Sequence, residues 1–343
     1  MAGERAQAMT DGDLADLGVH RLPVPVPFKQ AGGPVNVFAV EEADGGLLLF
    51  DAGLGSPDGQ GALAEGFARL GRRFDEVRRI VLSHGHVDHY GAAVWVMEQA
   101  GRPIPVHAHA ADIPKVAESG RRWRDMLPYY GAYFLKLGVP AATLAAISQE
   151  VGGGFSLARR IPAVTPIEPG EVIHAKYLAL EVLHMPGHTP GLICLHDRRH
   201  RLFFAGDHLL EKVSPNPIIE LGPKGEEGVY HPLVSYLGSV RRLRDLDVDT
   251  ILPGHGPPFG GHRAVIDGLL AFYEKRQDRI REVLLRGPLT GHEVTQAIFP
   301  WARPGDLFLV ISETVANLEV LEARGEVRRR LEEDGVYRFR LAS

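Results

Sequence analysis

Cysteine is almost absent from this chain. Of its 343 residues a single one is cysteine, Cys194, and it lies in the apolar run at residues 192–195. One cysteine excludes an intramolecular disulfide and agrees with a reducing compartment. We therefore expect Cys194 to be a core residue that takes no part in a metal site, and we expect the protein to be cytoplasmic.

Long apolar runs and an excess of positive charge are also missing. The hydrophobic fraction is 45% and the charged fraction 24%, and no apolar stretch reaches the roughly 18 residues that a membrane span needs. The first residues lack the basic-then-apolar pattern of a signal peptide. A formal net charge of −5 provides no overall basic field for nucleic acid or an anionic membrane. We expect a soluble protein with no membrane partner.

What the chain does contain is a stretch at residues 82–91 that is dense in metal-binding side chains. Four of them fall within six positions: His84, His86, Asp88 and His89. The preceding residues 79–83 have the pattern of a short buried strand, so the imidazoles are expected at its carboxyl end, where open α/β folds place their chemistry. Such a cluster favours divalent metal over ordinary surface histidines.

Three later strand ends each supply one more ligand candidate. These are His188, within Pro-Gly-His-Thr-Pro-Gly, then Asp207 and finally His255. The spacing in the first cluster predicts two metals rather than one, each with an open or solvent-held position. The expected assignment is one ion on His84, His86 and His188, the other on Asp88, His89 and His255, and Asp207 as the bridge.

The remaining pattern predicts three regions: a flexible arm at 1–18, a main domain at 19–262 and a helical domain ending in a hairpin at 263–343. The main domain alternates short strands with helices. Asp51 stands at the end of a strand at 47–50, where an aspartate either braces a neighbouring loop or simply forms a turn.

A helical insert is predicted at about 112–160, ending at three glycines, 152–154. It is rich in aromatic residues, which favours a lid over a pocket or a homodimer contact, with ordinary core packing as the alternative. The candidate substrate contacts are Trp123, Tyr129, Tyr130, Tyr133 and Phe134.

Together these motifs resemble those of the metallo-β-lactamase superfamily. They occur in order over residues 19–260: His84-Gly-His86-Val-Asp88-His89, Pro-Gly-His188-Thr-Pro-Gly, Phe-Ala-Gly-Asp207 and Leu-Pro-Gly-His255-Gly. Within the superfamily the chain is similar to the glyoxalase II-like hydrolases. The resemblance implies a four-layer α/β fold, the αββα sandwich, with a two-metal site at one edge. It also implies that Asp51 supports the metal loop without binding metal. Zinc is expected, with iron, manganese or cobalt as alternatives.

Residues 263–343 resemble the winged-helix appendage of the LACTB2-like β-lactamase-like proteins, some of which cut RNA. From Arg286 onward, however, eight arginines are outnumbered by nine acidic residues. A nucleic-acid-binding face would be clearly basic. We therefore expect a structural or dimerising role for this region and a small-molecule substrate rather than nucleic acid.

These features predict a metal-dependent hydrolase. Two cations would lower the pKa of a bridging water, so that hydroxide forms near neutral pH, and would polarise the scissile carbonyl. Asp88 is the candidate for passing a proton to the leaving group. The aromatic insert favours a carboxylic ester, thioester or lactone of an apolar substrate. A phosphodiesterase or ribonuclease of the same superfamily and a non-catalytic metal-binding protein are the alternatives.

Overall fold

The computed structural model describes residues 8–27, 32–144, 147 and 157–342. The sequence predicts an edge strand over residues 19–28, because the prolines at 23, 25 and 27 cannot donate to a neighbouring strand. Its last residue, Phe28, and the three glycines at 152–154 lie outside the described residues. The chain forms two compact units and passes between them repeatedly. The first unit comprises Met1–Arg122, Gly154–Pro215 and Val240–Ile266, and the second comprises Trp123–Gly153, Asn216–Ser239 and Asp267–Ser343.

A six-stranded sheet forms one half of the first unit. Its strands follow chain order: β1 (Val19–Val24), β2 (Val35–Glu41), β3 (Leu47–Phe50), β4 (Val77–Val81), β5 (Val106–Ala108) and β6 (Thr165–Pro166). The first three strands are antiparallel, and β3 to β6 run parallel. β1 lies at the edge, as the sequence predicts, because proline cannot donate a hydrogen bond to a second neighbouring strand.

A five-stranded sheet forms the other half of the first unit. Its strands are β7 (Val172–His174), β8 (Ala179–His184), β9 (Ile193–Asp197), β10 (Leu202–Gly206) and β11 (Thr250–Pro253), in the spatial order β11-β10-β9-β8-β7. Only the β10–β11 pair in this sheet is parallel. Cys194 is fully buried on β9, as expected.

The two sheets pack face to face. Phe204 of β10 contacts Phe38 of β2 and Phe50 of β3. Its ring centroid lies 5.4 Å from that of Phe38 and 5.8 Å from that of Phe50. The opposite side of β2 packs against helices α2 (Pro57–Arg69) and α4 (Ala93–Ala100). Since both of its faces are covered, β2 is apolar at nearly every position.

The outer face of the second sheet is covered by the end of α7 (Pro232–Asp245), where Arg242 donates to the carbonyl of His184 at 3.1 Å. Helix, sheet, sheet and helix therefore follow one another in layers. The fold is the αββα sandwich that the motifs imply.

The segment predicted as a flexible arm contains a helix, α1 (Asp11–Asp16). Thr10 and Asp13 cap it reciprocally: the Thr10 hydroxyl accepts from the Asp13 amide at 3.2 Å, and the Asp13 carboxylate accepts from the Thr10 amide at 2.8 Å. Leu14 is fully buried among the residues between the two sheets. The prediction is wrong for this stretch because one apolar side chain and a capping box suffice to dock a short helix.

The second unit combines helices with a small sheet. Its helices include most of α6 (Gly120–Lys136), the first part of α7, most of α8 (His262–Leu284), α9 (Gly291–Ile298) and α10 (Leu307–Ala323). The strands β12 (Leu289–Thr290), β13 (Val327–Leu331) and β14 (Tyr337–Leu341) pair in the order β12-β14-β13. The predicted hairpin at Asp334-Gly335 is present. No helix of the described residues has both the length and the apolarity needed to cross a membrane.

The aromatic insert packs with the C-terminal residues. The ring centroids of Tyr130 and Phe134 on α6 lie 6.3 and 6.0 Å from the ring centroid of Phe308 on α10. All three residues belong to one hydrophobic cluster with Ile311. The compact units therefore differ from the predicted domains: the sequence predicts 112–160 as an insert of the main domain, whereas Trp123–Gly153 belongs to the same unit as the C-terminal residues. The reason is that the apolar face of α6 is buried against helices more than a hundred residues later in the chain.

Candidate metal centre

Four strands of the first unit end at a common cluster of polar side chains. The loop after β4 carries His84 and His86, and the four-residue helix α3 (Val87–Tyr90) carries Asp88 and His89. His188 lies in the loop between β8 and β9, Asp207 directly follows β10, and His255 follows β11. Gly206 has a φ of +48°, and a Cβ there would lie 2.7 Å from Ser83. Glycine thus lets the end of β10 approach the histidine loop.

The structure brings the seven predicted ligand candidates together. They include two triads whose donor atoms lie within 4.8 Å of one another. The triads are the three-histidine group, His84, His86 and His188, and the mixed group, Asp88, His89 and His255. Both triads have the membership that the sequence predicts, and a third triad, His84, His89 and Asp207, contains one histidine from each of them.

Asp207 lies between the two groups. Its Oδ1 is 3.4 Å from His89 Nε2, and its Oδ2 is 3.6 Å from both His188 Nε2 and His255 Nε2. One oxygen thus faces the mixed group and the other faces both groups. A carboxylate in this position could serve as a ligand for both groups.

The hydrogen bonds of Ser83 determine which nitrogen of His84 faces the cluster. Ser83 Oγ lies 2.8 Å from Asp51 Oδ2 and 2.9 Å from His84 Nδ1. Since the hydroxyl donates its one proton to the carboxylate, it can only accept from His84 Nδ1–H. His84 Nε2 then carries a lone pair, and this buried atom has no hydrogen-bond partner among the described residues. Such an atom fits a metal ligand.

The two histidines of the mixed group are oriented in the same way. His89 Nδ1 donates to Asp51 Oδ2 at 2.8 Å, and His255 Nδ1 donates to the carbonyl of Gly33 at 3.1 Å. Their Nε2 atoms therefore face the carboxylates of Asp88 and Asp207. Carboxylates at this range from the two nitrogens require a positive charge beside them, which either a proton on the imidazole or a divalent cation supplies.

The three-histidine group favours neutral imidazoles. Burial lowers the pKa of His84 well below its usual value, and the neighbouring histidines lower it further. Burial and the charge of His188 lower the pKa of His86 to about 3. Neutral imidazole is the form that binds metal.

In the mixed group, the surroundings favour the charged forms of His89 and Asp88. Burial would lower the pKa of His89, but Asp207, Asp51 and Asp88 outweigh it and raise that pKa well above its usual value. Burial would likewise raise the pKa of Asp88, yet the charge of His89 and a hydrogen bond from His255 lower it to about 2. In the metal-free protein a proton thus supplies the positive charge that the carboxylates require. The whole donor set, five imidazoles and two carboxylates, suits divalent cations.

Two residues of the cluster are accessible to solvent. His86 and Asp88 are partly exposed, whereas the other five residues are buried. A molecule in solution would therefore reach the cluster first at these two side chains.

Sequence reasoning identified Asp51 but not every residue that orients the ligands. Asp51 adopts a left-handed φ of +65° and accepts from the Ser83 amide at 2.7 Å. Asn36, 1% exposed on β2, donates to the carbonyls of Pro253 and Gly256 on either side of the His255 loop. The sequence feature that could have indicated Asn36 is a polar residue within an otherwise apolar strand. Asp112, before helix α5 (Ile113–Glu118), was missed because it has the sequence pattern of a helix cap.

The five aromatic residues predicted to contact substrate lie in the second unit. Tyr130, Tyr133 and Phe134 are 2–5% exposed and form part of its hydrophobic core, while Tyr129 is 42% exposed. Trp123, Tyr130 and Phe134 also line a cavity together with Phe308. Their packing is that of core residues, and their contact with substrate stays a prediction.

The fold and the site together define an αββα protein with a cluster of histidines and aspartates able to hold divalent metal. Comparison with known families agrees: residues 31–255 match the metallo-beta-lactamase superfamily, and residues 278–342 match the metallo-beta-lactamase-like C-terminal domain. The chain belongs to the metallo-beta-lactamase superfamily and is a metallo-hydrolase.

Several relatives support this assignment. The "Probable metallo-hydrolase YqjP" of Bacillus subtilis is 31% identical over 319 residues, which cover 93% of this chain and 97% of that protein. The crystal structure of the metallo-beta-lactamase family protein TTHA1429 from Thermus thermophilus superposes with a TM-score of 0.78 at 29% identity, covering 94% of this chain and 98% of that one. Human acyl-coenzyme A thioesterase MBLAC2 is 36% identical over 111 residues, 30% of this chain and 36% of that protein.

Proposed function

We propose that this protein hydrolyses a carboxylic thioester or ester, with lactones included in the class, and that it uses two divalent cations bound by the seven-residue cluster. The observation that carries the proposal is the paired arrangement of donors: two groups of three, with Asp207 placed between them. Zinc is the proposed metal, because a set of imidazoles and carboxylates without thiolate is a common zinc ligand set in hydrolases.

Each residue of the cluster has a defined task in this proposal. When bound, the cations would supply Lewis acidity toward the scissile carbonyl and a water of lowered pKa. His84, His86 and His188 would hold one cation, and Asp88, His89 and His255 the other. Ser83 and Asp51 keep His84 and His89 in the orientation that presents Nε2, so these two ligands need no reorganisation during turnover.

Asp88 is proposed to transfer a proton as well as to bind metal. Its Oδ2 lies 3.4 Å from His255 Nε2, which leaves Oδ1 as the oxygen to accept a proton from the attacking water and return it to the leaving group. It is also one of the two cluster residues that are partly exposed. An acid–base group must reach the substrate, and this position allows it.

The choice of an acyl substrate is supported by the partial similarity to an acyl-coenzyme A thioesterase. The charges of the C-terminal region argue against nucleic acid. Several of its arginines are paired with acidic partners: Arg281 with Glu326 at 2.6 Å, Arg324 with Glu274 at 3.1 Å and Arg329 with Glu322 at 3.6 Å. We propose a small-molecule substrate and, from the single buried cysteine, a cytoplasmic enzyme.

A panel of substrates tests the proposal. Metal-loaded protein is assayed on an acyl-coenzyme A, an aryl ester, a lactone, bis(p-nitrophenyl) phosphate and single-stranded RNA. We expect turnover of one or more of the carbonyl substrates and none of the phosphodiesters. His86→Ala should abolish the activity, whereas His174→Ala, at an exposed position on β7, should not.

Turnover of the phosphodiester or the RNA alone would overturn the acyl assignment. Activity that survives in His86→Ala would exclude the cluster as its source. Failure of the unsubstituted protein to bind metal in equilibrium dialysis would overturn the proposal as a whole.

For Asp88→Asn we expect kcat to fall by roughly 10²–10⁴ with KM little changed, because the amide cannot carry a proton but keeps an oxygen near the cation. Initial rates are measured at saturating zinc, and bound zinc is determined in the same samples. An unchanged kcat at full metal content would exclude Asp88 as the proton carrier.

A further inference from the structure

A buried carboxylate outside the seven-residue cluster connects the two loops that carry the three-histidine group. Asp112 is 0% exposed. Its Oδ2 accepts from the amide of Gly85 at 2.9 Å and from the hydroxyl of Thr189 at 2.6 Å, and its Oδ1 accepts from the amide of Gly191 at 3.1 Å. Gly85 stands between His84 and His86, and Thr189 directly follows His188. One side chain therefore holds both loops.

The usual role of an aspartate at this position does not account for these contacts. An aspartate before a helix ordinarily caps it by accepting from the first turn. Asp112 precedes α5, yet its side chain makes no capping hydrogen bond to that helix. The carboxylate is directed toward the histidine loops instead.

The glycines of both loops agree with this arrangement. A Cβ on Gly191 would lie 2.7–2.8 Å from the backbone nitrogen, Cβ and Cγ of Asp112. A Cβ on Gly85 would lie 2.9 Å from Lys115 Cβ and 3.3 Å from the carbonyl oxygen of Asp112. Both loops thus contain glycine where the turn bearing Asp112 and Lys115 presses against them, and the Lys115 ammonium lies 3.6 Å from Asp112 Oδ1.

The mixed group has a counterpart of this arrangement. Asp51 accepts from the Ser83 amide, the Ser83 hydroxyl and His89 Nδ1 at 2.7–2.8 Å. Each metal-ligand group is therefore next to one buried aspartate that takes three donors. Asp51 acts on a ligand directly, whereas Asp112 acts on the backbone and hydroxyl beside the ligands.

We propose that Asp112 is a positioning residue for the three-histidine group, setting the separation of the His84–His86 loop from the His188 loop so that the three imidazoles converge on one cation. The inference rests on the proposed metal site. Asparagine at this position keeps the shape of the side chain but replaces one acceptor oxygen with an NH2 group. That NH2 group would face an N–H or O–H donor of one loop, and the lost hydrogen bond would let the loops separate.

The experiment measures zinc affinity in two backgrounds that each retain one group. In His255→Ala, which disables the mixed group, Asp112→Asn should weaken the remaining zinc roughly 10–100-fold, the range for changes that disturb the orientation of metal ligands. In His188→Ala, which disables the three-histidine group, the same change should leave the remaining affinity as it was. Affinity is read by competition with a chromophoric chelator, and folding by circular dichroism.

A second pair of variants covers the case in which Asp112→Asn does not fold. Thr189→Val removes one donor to Asp112 while keeping the side-chain shape, and Thr189→Ser keeps the hydroxyl. In the His255→Ala background we expect weaker zinc binding for the valine variant and retained affinity for the serine variant.

Equal losses in both backgrounds, or no loss in either, would overturn the positioning role. Equal zinc affinities of the two Thr189 variants would do the same. If the unsubstituted protein binds about two zinc ions and Asp112→Asn keeps both at full affinity, only this inference fails. If the unsubstituted protein binds none, the proposed function fails with it.

Discussion

Asp207→Asn should remove most of the bound metal and nearly all of the activity. The oxygens of this carboxylate face both ligand groups, at 3.4 Å from His89 Nε2 and 3.6 Å from His188 Nε2. The amide has the same shape, but it lacks the negative charge that two adjacent cations require. We expect bound metal to fall from about two ions per chain to one or fewer, as a shared ligand is lost. Metal catalysis supplies several kcal/mol, so turnover should fall on the order of 10³-fold.

A matched aspartate provides the control for this change. Asp249 lies just before β11, where its partly exposed carboxylate pairs with Arg201 at 3.0 Å. Asp249→Asn should therefore leave metal content and turnover unchanged. Metal content is measured by mass spectrometry after dialysis, and activity on the best substrate of the panel. Two retained ions with lost turnover would contradict the bridging role, and two retained ions with full turnover would contradict any role for Asp207 in the reaction.

Asp51→Ala should destabilise the metal-free protein by about 3 kcal/mol, the lower end of the range for breaking a buried charged pair. Asp51 is 1% exposed and accepts from the Ser83 amide, the Ser83 hydroxyl and His89 Nδ1. Its removal leaves three buried donors without their acceptor, and each lost bond exposes a desolvation penalty. The loss is measured by urea unfolding in the presence of a chelator, so that metal binding does not contribute.

Asp44→Ala is the matched control. Asp44 also pairs with a cation, Arg78 at 2.8 Å, but on the surface, where both side chains are about half exposed. Solvent screens such a pair, and little change in unfolding is expected. If Asp51→Ala is no more destabilising than Asp44→Ala, the buried network around His89 does not stabilise the fold. After reloading with zinc, Asp51→Ala should also bind the metal of the mixed group more weakly, because His89 loses the acceptor that fixes its tautomer.

Local sequence patterns were sufficient for most of the strands. The apolar runs of β2, β3 and β10 are short and bounded by turn residues, and the structure places a strand at each. The donor histidines and aspartates follow the carboxyl ends of β4, β8, β10 and β11 closely in sequence. For that reason the seven donor residues could be named, and even divided into two groups, before their distances were known. A strand end and its neighbours are local properties, which sequence reveals well.

Contacts between distant segments could not be anticipated in the same way. Asn36 and Asp112 are ordinary polar residues in sequence, one within a strand and one before a helix. The partners of Asn36 are 217 and 220 residues away, and those of Asp112 are 27 to 79 residues away. The aromatic residues of α6 are another case, since amphipathicity shows that one face is buried but does not show which element covers it.

The sequence by itself indicated the strands and the candidate donor residues at their ends, because these follow from apolar periodicity and from residues that are adjacent in the chain. The αββα class was implied by the resemblance of its motifs to those of the metallo-β-lactamase superfamily. Only the tertiary structure decided that α1 docks through Leu14, that α6 belongs with the C-terminal helices, and that Asp112 joins two histidine loops. Each of these depends on the packing of segments far apart in sequence, where burial and a satisfied hydrogen bond are settled by the whole fold rather than by any local pattern.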